Sequence, residues 1–378
     1  MTTWDGLLVM SSGANWDGMA TPPKEMALQL ARSGPVLYVD PPRSYVSARR
    51  HAQRASGVPP RSGVHEVEDG LARLTPYVQP GIDRPGLVRL TEMFVKRQMQ
   101  HAVDVLGGQV EAVVVANQRD VFAQLGERRR IVFATDDFVA GADLMGVRES
   151  VLLAQQRRQA RHADLIACVS PQIEEQWKPL GVPTALLPNG CEPNRFAGIN
   201  DTPYASDVNL PRPIVGFVGH ISERIDVSLL DAVARTGTSL LLVGPRQPVA
   251  GLDDILARPN VQWIDQRPLG ELPGYLRWID VGLTPYANSP FNRGSFPMKT
   301  LEYLAAGRRV VATGLPATHW LDTDLVRIAD TPEDFVAAVS SELARPETQA
   351  EFDRRIAFAM KHSWAERANE LRVLLADR

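Results

Sequence analysis

The residues whose types and spacing could do chemistry lie in one stretch, Ser289-Pro290-Phe291-Asn292-Arg293-Gly294-Ser295-Phe296-Pro297-Met298-Lys299-Thr300-Leu301-Glu302-Tyr303-Leu304-Ala305-Ala306-Gly307, which runs on into Arg309-Val310-Val311-Ala312-Thr313. The stretch reads as loop, helix, strand. Lys299 and Glu302 are three apart, a spacing that puts two side chains on one helical face. Phe296-Pro297 suits a helix start, because proline in a first turn forgoes an N–H that has no partner there. Gly307 suits the stop, and the β-branched run beyond it reads as a buried parallel strand. An open helix N-terminus gathers unpaired N–H groups and partial positive charge, which favours phosphate. Lys299 would add a mobile cation there. Ionised Glu302 only accepts hydrogen bonds, so beside a phosphate it suits the hydroxyls of a ribose or hexose. The plainer reading of the same spacing is a solvated ion pair on a surface helix.

The pattern Phe-Pro-x-Lys-x-x-Glu-Tyr-Leu-Ala-Ala-Gly-x-x-Val-Val-Ala-Thr over 296–313 resembles the donor-binding signature of nucleotide-sugar glycosyltransferases with two Rossmann-like domains, the GT-B type, and especially the retaining family four. The resemblance implies that Glu302 holds the donor ribose, with Phe296, Thr300 and Leu301 in the same donor-binding turn. The family often has a further glutamate eight residues earlier. Gly294 stands there in this chain, as in a shorter variant seen in polysaccharide-type transferases.

The elements that must position these residues follow an α/β rhythm. Residues 6–10 read as a buried strand, 11–18 as a small polar loop and 22–32 as a helix. Rossmann-like folds place ligand at such a first turn, which makes Gly13 and Asn15 candidates for an acceptor or phosphate loop. There is no Gly-x-Gly-x-x-Gly, and an ordinary strand-helix turn is the alternative. Residues 36–40 form a second strand halted by Pro41-Pro42. Residues 43–62, rich in Arg, Ser, Ala and Pro, read as a mobile loop that could close over an acceptor. Asp69-Gly70 marks a hairpin within 64–77. A helix over 87–106 and strands at 112–116 and 131–134 follow. The last of these runs into Asp136 and Asp137, at the carboxyl end of a parallel strand. Either carboxylate could take an acceptor hydroxyl, with Asp137 placed in the catalytic set; capping of the next turn is the alternative.

Helix 149–162 and strand 165–170 precede two short motifs, Ala163-Asp164-x-Ile166-x-x-x-Ser170 and Leu186-x-Pro188-Asn189-Gly190, which resemble the end of the N-terminal domain in the same transferase family. The polar, proline-bearing 197–213 reads as a linker. A second Rossmann-like unit opens with strand 214–219, ending at Gly219, then His220 and Arg224, then helix 227–234. In the resembled family this Gly-basic-x-x-x-Lys/Arg segment meets the nucleotide diphosphate. His220 stands at the usual arginine and Arg224 near the usual lysine, so Arg224 and Lys299 form the expected cationic pair. Gly244 ends strand 240–243 and would offer main chain to the donor. The resemblance places the base near Gln266 and Arg267, after strand 261–264. Strand 281–286 leads to the opening stretch. Helices at 331–343, 348–360 and 364–376 complete the chain.

Length and composition bound the reading. A chain of 378 residues suits two domains: an acceptor-side domain over 1–196, a linker over 197–213, a nucleotide-sugar-binding domain over 214–360, and a C-terminal helix, 361–378, expected to cross back to the first domain. A hydrophobic content of 44% with 22% charged residues is that of a globular protein, and a net charge of -3 gives no footprint for nucleic acid. Basic clusters at 43–61 and 128–130 are candidates to meet anionic lipid, against the plainer reading of solvated faces. The start Met1-Thr2-Thr3-Trp4-Asp5 does not read as a signal peptide, and two cysteines make no metal or disulfide framework. Cytoplasm is therefore the expected compartment, with the inner face of the membrane open. Fold class is α/β, two Rossmann-like domains with parallel sheets facing a cleft. The resemblance implies a metal-independent glycosyltransferase of the EC 2.4 type without a cofactor. It would move a hexosyl or related sugar from a nucleotide diphosphate sugar to a glycan, glycolipid or small-molecule hydroxyl with retention. Cell-envelope glycan or glycosylated metabolite synthesis is the setting. A nucleotide-sugar 2-epimerase and a non-catalytic sugar-nucleotide-binding protein are the alternatives.

Overall fold

The computed structural model describes residues 4–18, 20–46, 63–84, 86–122 and 124–376. The chain divides into two compact units, 1–188 with 367–378, and 189–366. The expected linker, 197–213, is counted with the second unit, and the last dozen residues pack with the first. There Arg372 Nη2 donates to Leu30 O at 2.7 Å.

The first unit holds β1 (Leu7–Ser12), β2 (Val36–Val39), β3 (Arg43–Ser44), β4 (Gly63–Glu68), β5 (Leu71–Thr75), β6 (Tyr77–Val78), β7 (Val110–Ala116), β8 (Arg129–Ala134), β9 (Leu165–Cys168) and β10 (Thr184–Leu186). Its eight-stranded sheet has the order β10-β9-β8-β7-β1-β2-β5-β4, all parallel except for the hairpin β4–β5. That hairpin turns at Asp69-Gly70, with Gly70 at φ 73, the left-handed region a glycine adopts freely. The expected mobile loop at 43–62 is described only at 43–46, where Arg43 and Ser44 form β3. Residues 47–62, with most of the 43–61 basic cluster, lie outside the described residues.

The second unit holds β11 (Ile214–Val218), β12 (Ser239–Val243), β13 (Val261–Ile264), β14 (Val281–Thr284), β15 (Arg309–Ala312) and β16 (Val326–Ile328). Its order is β13-β12-β11-β14-β15-β16, parallel throughout. Parallel strands covered on both faces read as continuous apolar runs, as Ile-Val-Gly-Phe-Val and Ser-Leu-Leu-Leu-Val do, with every residue buried. Helix starts are written locally. Asp226, Thr331 and Thr348 accept the N–H of Ser228, Asp334 and Glu351, each cap contributing about 1 kcal/mol.

The signature helix is Met298–Ala305. It ends as its sequence predicts: Arg308 N–H donates to Tyr303 O at 2.8 Å and Gly307 N–H to Leu304 O at 2.9 Å, with Gly307 at φ 68. The segment before it differs from the expected loop. Residues Pro290–Gly294 form a short helix, because Ser289 Oγ accepts the Asn292 N–H and Pro290 presets the first turn.

Candidate functional site

In the second sheet β11 lies between β12 and β14, so the connections leaving β11 and β14 diverge at its carboxyl end. Open α/β sheets bind ligands at such a point. Two glycines make its floor. Gly219 N–H donates to Val243 O at 2.8 Å, and Gly244 N–H to Ile264 O at 2.9 Å. A Cβ on Gly244 would stand 2.1 Å from Gly219 O, and Gly244 has φ 135, so the two backbones pack against each other only if residue 244 is glycine. A Cβ on Gly219 would meet the Phe217 ring at 3.1 Å and Lys299 Cε at 3.5 Å.

Lys299 is thus laid against this floor, and its Nζ meets Glu302 Oε2 at 2.6 Å. The ion pair of the plainer reading is present. Its side chains are only 23% and 18% exposed, however, so it is a half-sequestered pair rather than a solvated one. The helix is anchored from below by Tyr303, whose hydroxyl accepts the Val218 N–H at 2.7 Å while its ring fills the space a Cβ on Gly282 would need. Burial pushes the Tyr303 phenol up, against the opposing Val218 N–H. Phe296 packs edge-on against Trp320 at 5.9 Å, and Thr300 and Leu301 are fully buried. The side chains of these three residues therefore serve packing. What the helix start offers a ligand is main chain, since Pro297 brings no side-chain cap.

Arg224 enters from the β11 side. Its Nε donates to Asn292 Oδ1 at 2.9 Å, and its guanidinium lies 4.8 Å from the Phe291 ring and 5.5 Å from Tyr286. Burial raises the Tyr286 phenol, while the charges of Arg224 and Lys299 lower it and that of Glu302 raises it. Asn292, Phe291 and Tyr286 are site residues that sequence reasoning missed. The available signal was the pair Ser289-Pro290, a helix start just before Asn292.

Other expected donor residues are placed differently. His220 and Gln266 are exposed. Arg267 donates from Nη2 to Asp207 at 2.7 Å and from Nε to the Tyr275 hydroxyl at 2.8 Å. Burial disfavours the Asp207 carboxylate, yet the hydrogen bonds it accepts from Arg267 and, at 2.9 Å, from the Tyr275 hydroxyl outweigh it and hold its carboxyl below the usual range. Arg267 thereby fastens residues of the expected linker to the second unit.

In the first unit the same switch occurs between β1 and β7. The loop after β1 is pinned by Tyr38, whose hydroxyl donates to Ala14 O at 2.8 Å, and by Asp40, which accepts the Trp16 N–H at 2.8 Å. Gly13 and Asn15 are exposed there, Gly13 N–H donating to Ala116 O at 3.2 Å and Asn15 Oδ1 accepting from Arg43 Nη2 at 2.9 Å. Asp136 is half-buried. Asp137 is 4% exposed and both its oxygens are engaged, one with Ala140 N–H at 2.9 Å and the other with Gln176 Nε2 at 2.5 Å. Both oxygens are thus engaged as the capping alternative expects. Asp137→Asn is expected to cost about 1 kcal/mol of stability, one lost acceptor, and to leave kcat within about threefold of wild type. A collapsed kcat at unchanged Tm would place Asp137 in the catalytic set, on the acceptor hydroxyl.

Residues 212–345 match the family model described as Glycosyl transferases group 1. TuaH of Bacillus subtilis (strain 168), a glycosyltransferase provisionally assigned to teichuronic acid biosynthesis, is 31% identical over 224 residues. That match spans 56% of this chain and 56% of TuaH, little more than half of either. Sucrose-phosphate synthase from Thermosynechococcus elongatus superposes with a TM-score of 0.74 at 15% identity, over 98% of both chains. The UDP-forming alpha,alpha-trehalose-phosphate synthase from Burkholderia xenovorans, solved with glucose-6-phosphate, gives 0.69 at 13% identity, over 98% of this chain and 100% of its own. At such identities the likeness establishes the fold. Residues 212–345 are therefore similar to the group 1 glycosyl transferases, within a chain that has the GT-B fold of two Rossmann-like units.

Proposed function

We propose that the chain transfers a sugar from a nucleotide diphosphate sugar to an acceptor hydroxyl, with retention of anomeric configuration and without a metal ion. The observation that carries this reading is the meeting of the Gly219–Gly244 floor, the Lys299–Glu302 pair and Arg224 at the switch point of the second sheet. Backbone N–H groups at the start of Met298–Ala305, with two cations, suit a diphosphate leaving group. As charge develops on the leaving diphosphate, Lys299 and Arg224 stabilise it, and that diphosphate takes the acceptor proton. No protein base is then required. Glu302, released from Lys299, accepts from donor hydroxyls.

The assignment of TuaH to teichuronic acid synthesis supports a cell-envelope glycan as the product. The UDP-forming relative supports a uridine donor as the first to try. Group transfer is favoured over the epimerase alternative because the matched family is a transferase family. A glycolipid acceptor would bring the chain to a membrane face; no helix among the described residues is long and apolar enough to cross a membrane.

A thermal-shift panel of UDP, GDP, ADP and TDP with their common sugars, run on wild type and Glu302→Ala, tests the reading. A ligand at a hundredfold excess over Kd raises native stability by about 2.7 kcal/mol. One nucleotide is expected to raise Tm in wild type and to lose most of that effect in the variant. No shift with any of them sinks the donor-site reading.

A further inference from the structure

Asn292 is fully buried, and its hydrogen bonds are directed at the loop that carries Arg224. Its Oδ1 accepts from Arg224 Nε at 2.9 Å, while Nδ2 donates to Arg224 O at 2.9 Å and to Ala287 O at 2.8 Å. A buried amide is tolerated only when such partners are met. Neither carbonyl depends on it for a partner: Arg224 O also accepts the Ala287 N–H at 2.9 Å, and Ala287 O the Ser289 N–H at 2.8 Å. What Asn292 adds beyond these loop contacts is an acceptor that fixes Arg224 Nε.

A guanidinium is planar, so fixing Nε and laying the plane beside Phe291 and Tyr286 determines where both Nη groups point. We infer that Asn292 is a positioning residue, aiming the Arg224 guanidinium at the diphosphate of the bound nucleotide. This rests on the donor-site reading above. Asn292 itself touches no substrate; it acts through Arg224, reaching across 68 residues of sequence.

The test is the ratio of nucleoside diphosphate to monophosphate affinity, because a general loosening of the fold weakens both ligands alike. Isothermal titration would be run with UDP against UMP, and likewise with the GDP, ADP and TDP pairs. Asn292→Ala is expected to weaken the diphosphate about tenfold and the monophosphate less than about threefold, the scale of one misdirected charge-assisted hydrogen bond. In an Arg224→Gln background the same substitution should change nothing further, since the two residues act as one unit. Independent, multiplying losses would overturn the inference, as would a ratio unchanged by Asn292→Ala but lowered by Arg224→Gln. Should Asn292→Ala not fold, Arg224→Lys serves: it keeps the charge but has neither the Nε that docks on Asn292 nor the planar fork that docking would aim, so the ratio should again fall. A wild-type ratio in Arg224→Lys refutes the inference and leaves the donor site standing. Failure of wild type to bind any of the diphosphates overturns the donor-site reading and the inference together.

Discussion

Lys299→Ala is expected to lower kcat/KM by about 10²- to 10³-fold, the usual cost of removing one preorganised group that meets charge developing in a transition state. The fold should survive. An i,i+3 pair that is partly solvated contributes about 0.5 kcal/mol at most, so Tm should barely move. Glu302→Ala is expected to lose most turnover as well, by a different route. It frees Lys299 from its 2.6 Å partner and removes the acceptor for donor hydroxyls, so the loss should appear first in donor KM. Steady-state kinetics on both variants, with circular dichroism as the folding control, separates the two effects. Wild-type turnover in both purified variants would refute the site assignment.

Gly244→Ala should be far more disruptive than its size suggests. Its Cβ would stand 2.1 Å from Gly219 O, a backbone atom that cannot rotate away, and the residue sits at φ 135. Strain of this kind together with forced separation of β11 and β12 is expected to cost about 3 kcal/mol or more, and to remove nucleotide binding from whatever fraction folds. Gly237→Ala is the matched control. Gly237 also has positive φ, at 82, but its Cβ would meet nothing within 4 Å, so about 1 kcal/mol is expected. Equal denaturation midpoints for the two variants would show that the close approach of Gly219 and Gly244 is unimportant to the unit.

Much of this molecule is legible locally. The helix Glu149–His162 runs over the span its sequence predicts, with Glu149 in its first turn and Arg161 and His162 in its last, and so does the short apolar run of β13; both signals lie within the segment itself. The same holds for the turn at Asp69-Gly70 and for the signature helix with its Gly307 stop. Shorter pieces escaped. β3 and β6 are two-residue pairings, and β16 is three residues long; such segments become strands only because a neighbour offers a hydrogen-bonding edge. The helix Pro290–Gly294 escaped for a related reason, since five residues have no periodicity to detect.

Candidate residues divide along the same line. Lys299 with Glu302, and the glycines at 219 and 244, were chosen from the family resemblance together with types and spacings that act within one turn or at one strand end, and the structure brings them together. Asp137 was chosen by its place at a strand end and Arg267 from the family resemblance, and each has a partner distant in sequence: Asp137 with Gln176, Arg267 with Asp207. Sequence by itself determined the two α/β units, the helix of the signature stretch and the strand-end glycines, because hydrophobic period, capping and backbone freedom are short-range properties. Only the tertiary structure decided which strand lies beside which. The order β12-β11-β14 brings Asn292 to Arg224 and sets the guanidinium, since contacts across that distance are made by sheet order and burial rather than by any spacing in the chain.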